Sequence, residues 1–434
     1  MAILKRAGVL GLIVAASAAL LSSPALAAED VLNSGNTAWI LTATALVLLM
    51  TMPGLALFYG GLVASKNFLS VLMHVFAICC SVSVLWLVFV YSLAFGDGGS
   101  LNPVIGGFDK IFLSGAGLDG MVGDIPETVF FMFQMTFAII TPALIVGAYP
   151  ERMKFSAVLL FSVLWVIIVY SPVAHWVWGG GWLAELGVMD FAGGLVVHTT
   201  AGVSALVVAT MLGRRRGHPQ HDRPAHNPGL TMAGAAMLWV GWFGFNAGSA
   251  LAADANAGMA LLATHVAAAT AALTWMFVQW FHQGKPTLVG IATGTIAGLA
   301  TVTPAAGYIG PIGALVIGFA AGVICYIMAH FIQRVLKLDD SLDVFAVHGV
   351  GGMLGILLTS FFAATVLDGL GLPGSMGHQL WIQAVGVGAT AIWSGLFTYL
   401  ILIFVRAVLG LRVSEDEEAT GLDITHHGER GYDL

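Results

Sequence analysis

Gly193-Gly194-Leu195-Val196-Val197-His198-Thr199-Thr200-Ala201-Gly202 continues without a charge through Leu212, giving 20 residues, enough to cross a bilayer as one helix. His198 is the only ionisable side chain in the run. The rest of the chain repeats this character. Of its 434 residues 58% are hydrophobic and 9% charged, and the mean hydropathy is +0.92, so too few polar groups remain to face water. That balance excludes soluble enzymes, nucleic-acid binders, disordered chains and secreted disulfide scaffolds. Cys79, Cys80 and Cys325 all lie in apolar runs and read as small core residues.

The first thirty residues read as a targeting segment. Lys5 and Arg6 precede an apolar run from Ala7 to Leu21, and Ala25-Leu26-Ala27 is a small-residue cleavage pattern. An uncleaved first span is the alternative. Beyond it, eleven apolar stretches run near 37–60, 68–94, 127–148, 155–178, 193–212, 230–250, 258–281, 288–304, 311–333, 344–366 and 381–405. Cleavage leaves 14 of the 16 basic residues against 23 acidic ones, a formal charge of −9, and places the new N-terminus outside. An odd number of spans then puts the C-terminus in the cytoplasm. The basic residues agree: on this count Lys66, Arg152, Lys154, Arg214, Arg215, Arg216, Arg223, Lys285, Arg334, Lys337, Arg406, Arg412 and Arg430 fall inside, and Lys110 alone outside. The expectation is an all-α integral membrane protein with eleven transmembrane helices. Residues 1–27 are the signal peptide, 28–406 the membrane domain and 407–434 a cytoplasmic tail.

Two fragments echo each other. Gly54, Phe58 and Gly61 share the spacing of Gly241, Phe245 and Gly248, and Val197-His198 with Ala201-Gly202 resembles Val347-His348 with Gly351-Gly352. Five spans separate the copies, so the second half would be inserted upside down, the inverted five-plus-five plan of transporters with a site at the repeat interface. Charges vanish from the middle of the spans, as a cost of ~3 to more than ~10 kcal/mol at the bilayer centre requires. His74, His175, His198, His265 and His348 remain in apolar runs or at their ends. A lone histidine there reads as a helix-packing hydrogen bond. His198 and His348, at matching repeat positions, would instead meet and share one. Trp178 opens a Trp-Gly-Gly-Gly turn, and Trp242, Phe243 and Phe245 crowd a glycine-rich span. Such ring faces pack, and they also attract a small cation without a carboxylate. Asp190 either draws cations or, the stronger reading, caps the helix after it.

These residues resemble an ammonium transporter of the Amt/Rh family, bacterial Amt branch. The resemblance rests on Pro53-Gly54 through Leu57-Phe58-Tyr59-Gly60-Gly61, Gly147 to Glu151-Arg152, His175 to Gly181, Asp190 to His198, and Gly241-Trp242-Phe243-Gly244-Phe245-Asn246-Ala247-Gly248-Ser249. It continues through Thr303-Pro304-Ala305, Asp339-Asp340, Asp343-Val344-Phe345, Val347-His348-Gly349-Val350 and Gly421-Leu422-Asp423. It implies a trimer with one pore per subunit in the bacterial inner membrane. Trp178, Phe133 and Ser249 would form an outer recognition site, with Phe133 and Phe245 stacked beneath as a gate. A neighbouring ring in Phe130-Phe131-Met132-Phe133-Gln134 is the alternative to Phe133. His198 and His348 would follow, Phe58, Trp242 and Val344 would line the rest of the path, and Asp190 would organise the outer site without touching substrate.

The chemistry fits that resemblance. An alkylammonium has a pKa near ~10, so ammonium, or its analogue methylammonium, arrives protonated and must shed its proton before an apolar pore admits it. Potassium has none to shed. The protein is therefore expected to be a transporter and no enzyme, with no metal or cofactor. The resemblance also implies a PII-type signal-transduction protein as partner at the cytoplasmic face, which the basic strip Arg214–Arg216 and the acidic Glu415–Glu418 make reasonable. Two other readings are a bis-histidine haem protein and an ammonium sensor acting through a cytoplasmic partner.

Overall fold

The computed structural model describes residues 31–218 and 224–433. The signal peptide expected over 1–27, and Arg223, lie outside the described residues. Helices occupy all eleven apolar stretches: α1 Ser34–Leu62, α2 Ser65–Phe95, α3 Glu127–Ala148, α4 Phe155–Leu186, α5 Gly194–Leu212, α6 Pro228–Trp242, α7 Ala255–Gln283, α8 Leu288–Val302, α9 Pro311–Val335, α10 Phe345–Phe362 and α11 Met376–Leu409. Among the described residues nine are long and apolar enough to cross a membrane, which makes this a multi-pass membrane protein. α8 is shorter, and α6 gains length by continuing into a π-helical turn, Phe243–Ala247. Helix is what a bilayer imposes, since it satisfies every backbone N–H and C=O within one segment. The connection between α2 and α3 holds a small antiparallel hairpin, β1 Met121–Val122 and β2 Ile125–Pro126.

Burial separates centre from periphery. α3 has 94% of its apolar window inside the protein, whereas α11 has 28%. Between these extremes α5 and α10 cross at backbone contact. A Cβ on Gly202 of α5 would sit 2.2 Å from the Gly349 Cα of α10. Each of these two helices opens with a π-helical turn, Gly194–Thr199 and Phe345–Val350, and each turn carries a histidine, His198 or His348. Such turns gather at functional sites because they re-aim one side chain without ending the helix.

α4 runs from Phe155 to Trp178 before its first straight piece ends, so these residues lie roughly 35 Å apart at opposite faces. The tail closes over the Phe155 end. It leaves α11 at Gly410 (φ 71°), pairs Arg412 with Met153, and forms two short helices, α12 Glu415–Thr420 and α13 Leu422–His427. Asp423 accepts from the Leu69 (3.1 Å) and Ser70 (2.7 Å) N–H groups at the start of α2, and Asn67 Oδ1 accepts from Leu422 N (2.7 Å).

Within the basic strip Arg215 is drawn inward, while Arg214 and Arg216 stay exposed. Arg215 pairs with Asp339 (3.0 Å) and Glu151 (3.5 Å), the Arg214 Nε donates to Lys337 O, and the Arg216 backbone donates to Glu418, itself paired with Arg412 (2.8 Å). Burial raises the Asp339 carboxyl, but Arg152 and Arg215 more than offset this and hold it well below the usual carboxylate range.

Because interiors this dense tolerate little added volume, Gly202→Val should give little monodisperse protein on size exclusion. Gly377→Val, at a position with nothing within 4 Å, should behave as the parent. Equal behaviour of the two variants would show that the α5–α10 contact is looser than described.

Candidate functional site

At the face opposite the tail, a vestibule of about 280 Å³ is lined by Phe130, Gln134, Phe137, Trp178, Phe191 and Ser249, among others. Trp178 is half-buried and held by its indole N–H, which donates to Asp190 O (3.0 Å). The Ser249 hydroxyl donates to Phe245 O (2.8 Å). Its proton is thus committed, and its oxygen lone pairs are left to accept from an N–H in the vestibule.

The vestibule floor is aromatic. Phe137 lies over Phe245 with centroids 4.3 Å apart and planes 31° from parallel, and it meets Trp178 edge-on at 5.6 Å. Both phenylalanines are essentially fully buried. Phe133, which the sequence placed here, is instead one turn back along α3. It touches the edge of Phe137 (5.1 Å) and packs against Gly248, where a Cβ would lie 2.9 Å from its ring. Sequence reasoning missed Phe137 because residues four apart share a helix face, so the run around Gln134 could not say which ring reaches Phe245. The spacing Phe133 to Phe137 was the available signal.

Below the seal, Phe58, Trp242, Phe245, His198 and His348 bound a lumen with leucine, isoleucine, valine and methionine side chains. It leaves about 10 Å³ for the centre of a water-sized molecule, room for one small occupant. His198 stacks between neighbours, 5.5 Å from Trp242 and 5.2 Å from His348. Trp242 is fixed by its N–H to Thr303 Oγ1 (2.9 Å). Val344 is not part of this lining; it presses on Gly147 nearer the tail face, where a Cβ would meet its methyl at 2.7 Å.

The two imidazoles face each other through their Nδ1 atoms, 3.2 Å apart. At that separation one proton lies between two neutral rings, because two N–H groups cannot point at each other. The donating ring then has a bare Nε2 and the accepting ring carries its proton there. The pair therefore always offers one donor and one acceptor at its outer nitrogens. Among the described residues His198 Nε2 is buried with no partner. The Nδ1 contact at hydrogen-bond distance also leaves no place for a porphyrin between the rings, the arrangement a bis-histidine haem protein needs.

Two aspartates hold the turns that carry these histidines. Asp190, buried, accepts from the backbone N–H groups of Gly193 (2.9 Å), Gly194 (2.6 Å), Leu195 (2.7 Å) and Val196 (3.3 Å). Its contacts are those of a helix cap. Gly193 adopts φ 114°, a left-handed conformation that brings these donors onto one carboxylate. Asp340, eight residues before His348 as Asp190 is before His198, accepts from Phe345 N (2.7 Å). Burial pushes the Asp340 carboxyl up to about 7, and its Oδ1 has no partner among the described residues. The sequence displayed Asp339-Asp340 without giving Asp340 a place in the site; the repeated eight-residue offset was the signal.

The fold and this site define a class: a multi-pass membrane protein with a narrow apolar cavity that lies beneath stacked aromatic rings and holds paired imidazoles. The chain belongs to the ammonium transporter family, whose model, described as Ammonium Transporter Family, matches residues 38–432. It is 49% identical over 418 residues to an ammonium transporter of Aquifex aeolicus, covering 96% of this chain and 97% of that one. An ammonium transporter of Bacillus subtilis is 46% identical over 406 residues, covering 92% and 99%. Among solved structures the fold is similar to a sensor Amt protein (TM-score 0.84, 33% identity, 90% of this chain and 98% of that chain). It is also similar to Saccharomyces cerevisiae Mep2 (TM-score 0.81, 36% identity, 89% and 88%).

Asp190→Ala should strip four buried N–H groups of their acceptor, at ~1–3 kcal/mol for each left unsatisfied, and lower the thermal midpoint of the purified protein clearly. Asp190→Asn keeps one acceptor oxygen and should fall between. An unchanged midpoint for Asp190→Ala would mean that water replaces the carboxylate without penalty.

Proposed function

We propose that the protein transports ammonium, recruiting the cation at Trp178 and Ser249, removing its proton at the aromatic seal, and passing ammonia along the lumen past His198 and His348. The observation that carries this reading is the sequence of environments along one path: a half-open aromatic vestibule, a stacked Phe137–Phe245 floor, then a lumen whose polar groups are two imidazoles. The names of the relatives support the substrate. A ring face and a hydroxyl acceptor suit a small cation carrying N–H donors. The lumen suits the neutral molecule, since no fixed charge lines it to repay an ion's lost hydration. The donor–acceptor pair at the histidines suits ammonia, which both gives and takes hydrogen bonds, and supplies a chain along which a proton can travel separately.

In this reading Phe137 takes the gating position that the sequence gave to Phe133, and Asp190 positions the vestibule through Trp178 without touching substrate. Eleven spans, an outside N-terminus and a cytoplasmic tail are supported by the helices in all eleven stretches and by the distribution of basic residues. The matched Asp-to-His segments support the inverted repeat. A homotrimer in the bacterial inner membrane and a PII-type partner at the tail face complete the proposal. Such a partner would meet the exposed Arg214 and Arg216 together with the exposed side of α12.

Counterflow of labelled methylammonium into proteoliposomes tests it. The parent should accumulate label. Trp178→Leu should weaken apparent affinity roughly two- to thirtyfold, the value of one cation–π contact at ~0.5–2 kcal/mol. Phe137→Leu should change maximal rate or open a leak, and His198→Ala should abolish flux or its selectivity. Flux indistinguishable from empty liposomes would refute transport; parent-like rate and selectivity in His198→Ala and His348→Ala alike would refute the histidine path.

A further inference from the structure

The tail does not lie flush on the body. Between it and the first turn of α2 is a pocket of about 360 Å³, whose polar walls are Ser65 and Lys66 from that turn and Thr420, Asp423, Arg430 and Tyr432 from the tail. We propose that this pocket binds a phosphate group, gripped by Arg430 and Lys66 and by the hydroxyls of Ser65 and Thr420. The inference is independent of the transport reading.

Each wall contributes for a physical reason. Lys66 Nζ donates to the carbonyls of Glu418 and Ala419, which fixes its charge at the pocket edge and leaves one N–H unused. Arg430 is exposed at the pocket wall and, among the described residues, has no hydrogen-bond or ion-pair partner, unlike Arg215 and Arg412. Its guanidinium keeps a planar fork of donors that matches two oxygens of one phosphate. The segment bearing it is anchored. His226 Nδ1 faces Val63 O (2.8 Å) and must donate, so Nε2 accepts the Tyr432 hydroxyl proton (3.1 Å). The hydroxyls of Ser65 and Thr420 have no protein partner among the described residues and add two neutral donors.

The one carboxylate in the wall is already occupied. Both oxygens of Asp423 accept from backbone N–H groups at the start of α2, so its charge is directed into the protein. Two cations and two free hydroxyls against one capped carboxylate leave the pocket net positive and rich in donors. A tetrahedral dianion with several acceptor oxygens uses all four groups; chloride or a single carboxylate cannot. Because the groups come from both sides, an occupant would also tie residues 420–432 of the tail to the first turn of α2. The phosphate could belong to a soluble ion or ester or to an anionic lipid headgroup.

The full chain in phosphatidylcholine nanodiscs, titrated with inorganic phosphate against chloride at matched ionic strength, tests this by hydrogen exchange over 418–432. Phosphate should slow exchange saturably, Arg430→Gln should weaken the apparent affinity roughly tenfold, the scale of one charge-assisted contact, and Arg430→Lys should recover part of it. If slowing requires phosphatidylglycerol in the nanodisc and is lost in Arg430→Gln, the ligand is a lipid headgroup. The proposal fails if neither phosphate nor phosphatidylglycerol slows exchange beyond chloride, or if Arg430→Gln responds as the parent does.

Discussion

Two imidazoles buried in an apolar interior, each the other's hydrogen-bond partner at 3.2 Å, set the terms for the rest of the molecule. A buried polar ring with no partner costs several kcal/mol, so His198 and His348 must stay within reach of one another. That requires α5 and α10 to cross at backbone contact, which is why Gly202 meets Gly349 and why a Cβ on Gly352 would stand 2.7 Å from that of His198. It also requires both rings to project from helix starts without ending the helices. The π-helical turns provide the aim, and Asp190 and Asp340 satisfy the N–H groups that those starts expose.

The pair also orders the environments along the path. Phe245 serves both compartments: its ring floors the vestibule under Phe137 and roofs the lumen 6.1 Å from His198. Its carbonyl accepts the hydrogen bond of the Ser249 hydroxyl, so the same residue sets the chemistry of the vestibule hydroxyl. Trp178 is tied through its indole N–H to Asp190, the residue that caps the histidine-bearing turn. Vestibule, seal and histidine pair are thus one connected construction, and a change in the cap is felt at the ring that faces the vestibule.

Much of this was legible in the chain. Apolar runs of membrane-spanning length located α1 to α11, since a bilayer leaves the backbone no other choice, whereas the short polar helices α12 and α13 of the tail lay outside them. The echo of Val197-His198 in Val347-His348 pointed to two histidines that do lie together. Three features were less visible, each because it depends on distance through space. Phe133 and Phe137 share a helix face, and only the neighbouring helix decides which ring meets Phe245. Val344 is apolar and near His348 in sequence, yet it points at Gly147. Arg214–Arg216 read as one uniform basic strip, yet Arg215 is drawn inward by Glu151 and Asp339, which lie 60 or more residues away in sequence, while Arg214 and Arg216 stay exposed.

The central claim is that one proton sits between the two Nδ1 atoms, making His198 and His348 a single donor–acceptor unit. Solid-state nitrogen NMR of histidine-labelled protein in lipid measures this directly at neutral pH. The account predicts one protonated and one bare Nδ1 with a coupling across the hydrogen bond, lost in either His198→Ala or His348→Ala. Two bare or two protonated Nδ1 atoms with no coupling would contradict it.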